Sequence, residues 1–375
     1  MAKAAANGER ALTIYAGAEA RLRLQKEGWH PDLFSLLVGA SGGPKWFVLK
    51  YLDELMFGDF LAGGTRKLDL IGSSIGSWRH VCLTQPDPIA ALDVLAKRYC
   101  EQTYTSKRPS GAEVSAVSGQ MLEEIFKVSG VDGAAALRNH PRYHSHIVTA
   151  RGGHFTGSAQ PLVLAPSLGL AALANGIHRK ALQPFFQRVL FSSPGDADQR
   201  YQPGGDLAFT DFNTARVALH QNNTSEALLA SGSIPYVLAG ERNIAGAPKG
   251  HYWDGGIIDY HFDLDFYRGD GLILYPQFSS ELTSGWFDKM LPWRRGRSKL
   301  SDRMILLCPS DDFATSLPGG KIPDRKDFHG YEPEQRMEVW YAAMEASKVL
   351  AEQFAEQLSK SDPLDGVRFL PTVLA

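Results

Sequence analysis

Two serines in this chain sit in glycine-rich turns of a kind that serves nucleophilic chemistry. Ser41 lies in Gly39-Ala40-Ser41-Gly42-Gly43-Pro44-Lys45, and Ser74 in Gly72-Ser73-Ser74-Ile75-Gly76. Both fit G-x-S-x-G, where small neighbours let the backbone bend sharply, expose the hydroxyl and admit a substrate carbonyl. A serine also needs a proton acceptor; the stretch Asp254-Gly255-Gly256, which by itself reads as a tight turn, has His251 and His261 flanking it. The order serine, acid, histidine would nominate His261 as a base, and His80 lies near Ser74 in sequence. A carboxylate acting alone must take the serine proton itself, which an aspartate with its ordinary pKa of ~4 does poorly.

The same residues permit other chemistries, and spacing argues against them. His251, Asp254, Asp259, His261, Asp263 and Asp265 form a local set of hard or borderline metal ligands. They lack a ligand spacing and read better as a solvated acidic loop, so no metal is expected. Lys45 is followed by Trp46, and the glycine spacing is neither that of a P-loop nor G-x-G-x-x-G. No nucleotide or other cofactor is expected.

The elements that must hold these turns are legible from periodicity. Phe34–Val38 and Leu68–Ile71 are apolar runs that read as buried strands. Helical spacing follows each turn, over Trp46–Phe57 and Ser77–Leu83. Backbone N–H groups at a helix N-terminus favour negative charge, so two such units side by side would offer a nucleophile and an anion cradle. Strand–turn–helix alternation predicts an α/β fold with a largely parallel sheet, its active site beyond the carboxyl ends of the strands. Further helices are expected at Ala16–Lys26, Pro88–Cys100, Gly119–Val128, Thr224–Ala230 and, the longest, Gln335–Leu358. Further strands are expected at Tyr143–Ala150, Val189–Phe191, Gly271–Tyr275 and Arg303–Cys308, with Gln160–Arg188 as a cap or insertion and Gly195–Gly205 as a polar loop. Residues 1–10 read as a disordered lead and 11–375 as a single domain with helical and loop insertions.

Composition narrows the class. A net charge of −2 gives no reason to expect nucleic acid. Three cysteines, Cys82, Cys100 and Cys308, without metal or disulfide spacing fit a reducing compartment. The first ten residues lack the apolar core of a signal peptide, and the most apolar stretch, Pro161–Ile177, is too punctuated to span a bilayer. A cytoplasmic protein is expected, of unknown oligomeric state.

Four short motifs, spread over residues 34–260, together resemble the patatin-like phospholipase family. These are Gly42-Gly43-Pro44-Lys45, Gly72-Ser73-Ser74-Ile75-Gly76, Ala230-Ser231-Gly232-Ser233-Ile234-Pro235 and Asp254-Gly255-Gly256, in the family's order. The resemblance implies a three-layer α/β/α fold and a serine hydrolase acting on carboxylic ester bonds of lipids. It makes Ser74 the nucleophile, Asp254 its partner in a Ser–Asp dyad, and the backbone N–H groups of Gly42 and Gly43 the oxyanion hole. Ser41 then belongs to the oxyanion loop, and Lys45 is a candidate for positioning loop or substrate. Trp46 departs from the family, standing where a glycine usually closes the first motif, and Trp78 adds a second ring after the serine turn. Both predict a narrower or more apolar mouth. After Asp254 the family usually shows Asn-x-Pro, where this chain has Asp259-Tyr260-His261.

The implied partner is a lipid or acyl-ester substrate. Trp286-Phe287-Asp288-Lys289-Met290-Leu291-Pro292-Trp293-Arg294-Arg295, running on to Lys299, has the apolar-plus-basic makeup of a transient membrane contact, although a solvated basic loop is the plainer expectation. Leu162–Ile177 is a second candidate for acyl-chain contact. Two rivals stay open: a catalytically idle acyl-binding protein on the same scaffold, and an esterase with a Ser–His–Asp triad through His261.

Overall fold

The apolar runs become the middle of one mixed sheet. The computed structural model describes residues 10–153, 155–194, 206–262, 266–294 and 302–370. Within them the strands are β1 (Leu12–Ala16), β2 (Phe34–Gly39), β3 (Leu68–Ser73), β4 (Tyr143–Gly152), β5 (Phe186–Ser192), β6 (Thr214–Ala218), β7 (Glu241–Arg242), β8 (His251–Asp254), β9 (Leu272–Pro276), β10 (Met304–Pro309) and β11 (Val367–Phe369). Their order is β11-β1-β10-β9-β2-β3-β4-β5-β6, with β8 joining β4 and β7 joining β8. The run β10-β9-β2-β3-β4 is parallel throughout. Helices pack against this sheet, so the fold is α/β as the alternation predicts. All six residues of β2 are buried, as a central parallel strand covered on both faces requires.

Register brings the two glycine turns together. Gly39 pairs with Gly72, so both turns leave the sheet at the same level. The loop after β2 then lies against the helix after β3, Ile75–Leu83, with Gly39 backbone on Gly76 backbone. A Cβ on Gly76 would stand 2.0 Å from the Gly39 carbonyl oxygen. Gly76→Ala is therefore expected to lower stability in urea unfolding by about 3 kcal/mol, because backbone cannot yield as a flexible side chain does. A second brace is a buried ion pair in which Arg79 Nε and Nη2 donate to the two oxygens of Asp53 at 2.6 and 2.5 Å, tying Ile75–Leu83 to the helix Lys50–Leu55.

Several boundaries differ from the periodicity. The Trp46–Phe57 segment is 3₁₀ over Gly43–Leu49, α over Lys50–Leu55 and π over Met56–Phe60. The long C-terminal pattern is two helices, Pro333–Ala346 and Lys348–Ser359. They part at buried Ser347, whose hydroxyl donates back to the Met344 carbonyl at 2.6 Å and competes with the helical ladder. The predicted Gly119–Val128 helix starts earlier, at Gly111, where Ser110 caps it. The expected cap Gln160–Arg188 is the helix Pro161–Ile177, which accommodates Pro166 in its first half, then a 3₁₀ turn at Arg179–Leu182 and the start of β5. The expected loop Gly195–Gly205 lies outside the described residues, apart from what the sequence says of it. Among the described residues no helix is long and apolar enough to cross a membrane.

Candidate active site

Ser74 stands on the sharp bend between β3 and the Ile75–Leu83 helix, at φ 54° and ψ −130°. Positive φ is costly for a residue with a side chain, so neighbouring bonds must hold it. Ser231 supplies them. Its hydroxyl oxygen accepts the Ser74 N–H at 3.0 Å and donates to the Val148 carbonyl of β4 at 2.7 Å. The Ser74 carbonyl meanwhile accepts the N–H of Ser77 at 3.0 Å, which turns the bend into the helix.

Strand register also delivers the acid. β3 pairs with β4 as far as Ser73 against Val148, and β8 takes over that edge one residue later, with Asp254 opposite Thr149. Asp254 therefore emerges beside Ser74 despite the 180 positions (254 − 74) between them. The two residues line the same cleft, the Ser74 hydroxyl is near enough to favour the ionised carboxylate, and Asp254 Oδ1 accepts the Gly256 N–H at 2.7 Å. The Asp254 N–H donates to the Ser233 carbonyl at 2.8 Å, so the Ser231–Ser233 stretch holds both members of the pair. Burial pushes the Asp254 carboxyl up to about 6, against the opposing pull of Ser74, Gly256, Arg325 and Lys289.

Gly42 and Gly43 face the pair from the loop after β2. The Ser41 N–H is taken by the Tyr260 carbonyl (2.9 Å) and the Lys45 N–H by the Gly42 carbonyl (3.4 Å), and Gly42 and Gly43, between them, line the cleft. A Cβ on Gly42 would meet the Phe278 ring at 2.3 Å, and Gly43 has φ 55°, so both positions need glycine. Ser41 itself is buried, with its hydroxyl bonded to Ser73 Oγ at 2.6 Å.

The cleft between these groups is tight, about 50 Å³ of free space. That holds a carbonyl or a water or two. Ile257, Tyr260, Trp286, Lys289 and Arg325 complete its wall. Lys289 Nζ sits 3.5 Å from the centre of the Tyr260 ring, and burial with the nearby Lys45 and Arg325 charges pushes its amine down to about 7. Lys45 Nζ lies 4.9 Å from the Phe278 ring centre, its pKa lowered by burial. Arg325 Nη1 is buried without a hydrogen-bond partner among the described residues. Positive charge thus surrounds the place where a carbonyl oxygen would gain negative charge.

Trp46 and Trp78 do not form the mouth. Trp46 is 1% exposed and packed beside Phe47, while Trp78 is 6% exposed and donates from Nε1 to the Leu228 carbonyl at 3.2 Å. Trp286 is the indole that lines the cleft. The histidines near the motifs also lie outside the cleft lining. His261 accepts the Thr283 N–H at Nδ1 (3.1 Å) and stacks on Tyr260, His251 Nε2 meets the Ala239 carbonyl (2.8 Å), and His80 is wholly enclosed. Burial lowers the pKa of His261 and His80 well below the usual range. No histidine lines the cleft among the described residues.

The expected solvated acidic loop after Asp254 is instead an interior ion network. Asp259 is 2% exposed and receives Arg188 Nε at 2.6 Å and Nη2 at 2.8 Å, while Arg188 also holds Asp211. Asp263 and Asp265 lie outside the described residues. Among those that are described, no three His, Cys, Asp or Glu side chains gather as metal ligands. A larger cavity of about 490 Å³ lies by the ends of β4 and β5, lined by Arg151, Gln183, Gln187, Asn213 and His251 among others, without a serine, cysteine or carboxylate.

Sequence reasoning singled out Ser231 only as part of a motif and missed Arg325 and Tyr260 in the cleft wall. Lys289 and Trp286 fell in a stretch noted for its basic and aromatic makeup. Arg325 carries no sequence signal at all.

No family model matches this chain, and no curated protein does. Among solved structures it is similar to VipD from Legionella pneumophila at 12% identity and a TM-score of 0.33, over 99% of this chain and 77% of that one. A likeness that faint carries no argument about fold or chemistry.

Proposed function

We propose that this chain is a serine acyl hydrolase of the patatin-like type, cleaving a lipid ester through a Ser–Asp dyad. The observation that carries the reading is Ser74 at positive φ in one cleft with the buried Asp254, whose carboxyl pKa is raised to about 6. A base with that pKa is still ionised at neutral pH, yet takes a proton far more readily than an exposed aspartate. Ser74 Oγ attacks the ester carbonyl carbon as its proton passes to Asp254. The Gly42 and Gly43 N–H groups hold the oxyanion, and the cations at Lys45, Lys289 and Arg325 add to the favourable field. Collapse breaks the C–O bond, and the Asp254 proton leaves with the alcohol. Water then attacks the acyl-enzyme with Asp254 again as base, restoring Ser74. The same cations favour an ester that itself bears a phosphate or carboxylate.

Stopped-flow hydrolysis of p-nitrophenyl butyrate tests the reading. Expected is a burst of p-nitrophenolate near one equivalent of enzyme, followed by slower turnover if deacylation limits, or steady turnover that Ser74→Ala removes if it does not. Inertness to p-nitrophenyl esters and lysophospholipids alike, with fatty acid retained on the purified protein, would support an idle acyl-binding protein instead.

A further inference from the structure

The helix Pro161–Ile177 is built inside out for a protein surface. It contains no charged residue, and its polar side chains point inward. Ser167 and Asn175 are buried with Leu164, Leu168 and Ala171, and Asn175 Nδ2 donates to Asp288 Oδ1 at 2.8 Å. The outward positions are apolar: Leu162 is 92% exposed, Leu170 57%, Leu173 71% and Ile177 85%. A helix facing water shows the reverse pattern. Single exposed apolar residues are ordinary, but a whole helical face of them marks a surface meant to be covered.

The neighbouring segment extends that face. The helix packs against the 3₁₀ turn Trp286–Met290, whose last residue, Met290, is 82% exposed, and Trp293 beyond it is 58% exposed. Trp286 and Lys289 of the same turn line the Ser74 cleft. The apolar face and the mouth of the cleft are therefore adjacent.

Charge distinguishes among occupants. Residues 152–194 hold no aspartate or glutamate, and Lys180 and His178 are exposed just past the end of the helix. Lys289–Arg294 is likewise free of acids, and Arg294, paired with the buried Asp288 at 2.9 Å, keeps about a fifth of its side chain exposed. A second copy of the chain would gain nothing from an acid-free margin around an apolar face, whereas anionic lipid headgroups would.

We propose that Pro161–Ile177 and Trp286–Arg294 together form a docking face for an anionic lipid bilayer, seating the Ser74 cleft at the membrane surface. Leu162, Leu170, Leu173 and Ile177 enter the acyl boundary, Trp293 sits at headgroup depth, and the basic margin engages the headgroups. The assignment goes beyond the hydrolase reading, because docking needs no turnover.

Co-sedimentation with vesicles of phosphatidylcholine alone and of phosphatidylcholine with an equal share of phosphatidylglycerol tests it. The wild-type chain is expected to pellet with the anionic vesicles, and less so in high salt. Leu173→Glu should weaken partition on the order of tenfold with unchanged circular dichroism, since a charge replaces a group that must enter the lipid. Leu162→Glu, at the most exposed position, is the second variant. Ser74→Ala should bind as the wild type does, so docking and hydrolysis fail separately. Equal binding to neutral and anionic vesicles would overturn the anionic preference. Absence of wild-type binding, or Leu173→Glu and Leu162→Glu that bind undiminished, would overturn the docking face. So would a wild-type dimer that Leu173→Glu splits without any vesicle binding, which would make a second copy the occupant.

Discussion

Ser74→Ala is expected to abolish ester turnover, by a factor of at least about 10³, and to abolish covalent labelling by a fluorophosphonate, while Ser41→Ala keeps both within about tenfold. The two serines share a sequence pattern, and their surroundings separate them. Ser74 shares the cleft with the buried Asp254 carboxylate, on a bend that places it at the cleft wall. Ser41 Oγ is bonded to another serine, Ser73, and has no base. Removing the Ser41 hydroxyl leaves the N–H groups of Gly42 and Gly43 where they are, because the Ser41 N–H stays anchored on the Tyr260 carbonyl. Trypsin separates the candidates onto different peptides, residues 27–45 for Ser41 and 68–79 for Ser74. Fragmentation of the second would then tell Ser74 from Ser73 and Ser77. An adduct on the 27–45 peptide would reverse the roles of the two glycine turns.

That the Ser74 turn was legible at all comes from backbone, not from chemistry. Phe34–Gly39 and Leu68–Ser73 are largely apolar runs, interrupted only by Ser35 and Asp69, that lead into glycine-rich turns. Their pairing at Gly39 and Gly72 follows once both are central parallel strands. Asp254 was reachable only through the family resemblance, since its place beside Ser74 depends on β8 joining β4 where β3 ends. No local pattern reports such a register.

Bulk in sequence proved a poor guide to the mouth of the site. Trp46 and Trp78 are close to the two turns along the chain, yet each begins a segment whose next side chains press into the core, and the indoles go with them. The cleft is walled by Tyr260, Trp286, Lys289 and Arg325, from three stretches beyond Asp254 whose convergence only the folded chain supplies. β11 was missed because three residues give periodicity too little length to act on, and β1 was not read as a strand either.

Asp254→Asn should separate catalysis from stability. Asparagine keeps a carbonyl oxygen for the Gly256 N–H but cannot accept the Ser74 proton, so turnover is expected to fall by about 10³ or more. In the wild-type chain, kcat/KM should rise with pH along a limb near the Asp254 pKa of about 6, since only the carboxylate is a base. Where the Lys289 cation assists, a decline should follow above its value of about 7, and Lys289→Met should remove that decline.

The stability effect has the opposite sign. The folded pKa of Asp254 lies above the ordinary 3.8, so the folded state binds this proton more tightly than the unfolded chain. Its contribution to stability is fully present below about pH 4 and is lost as pH rises through 6. At pH 8 the folded protein thus carries a buried charge costing on the order of 1–3 kcal/mol, from which asparagine is exempt. Melting curves of the two proteins should nearly coincide in acid and diverge with rising pH, Asp254→Asn being the more stable at pH 8. A difference that stays flat with pH, together with a kinetic limb near 4, would mean that Asp254 is an ordinary carboxylate and that burial has not made it a base. Divergence would show instead that this site spends fold stability to hold a carboxylate ready for the Ser74 proton.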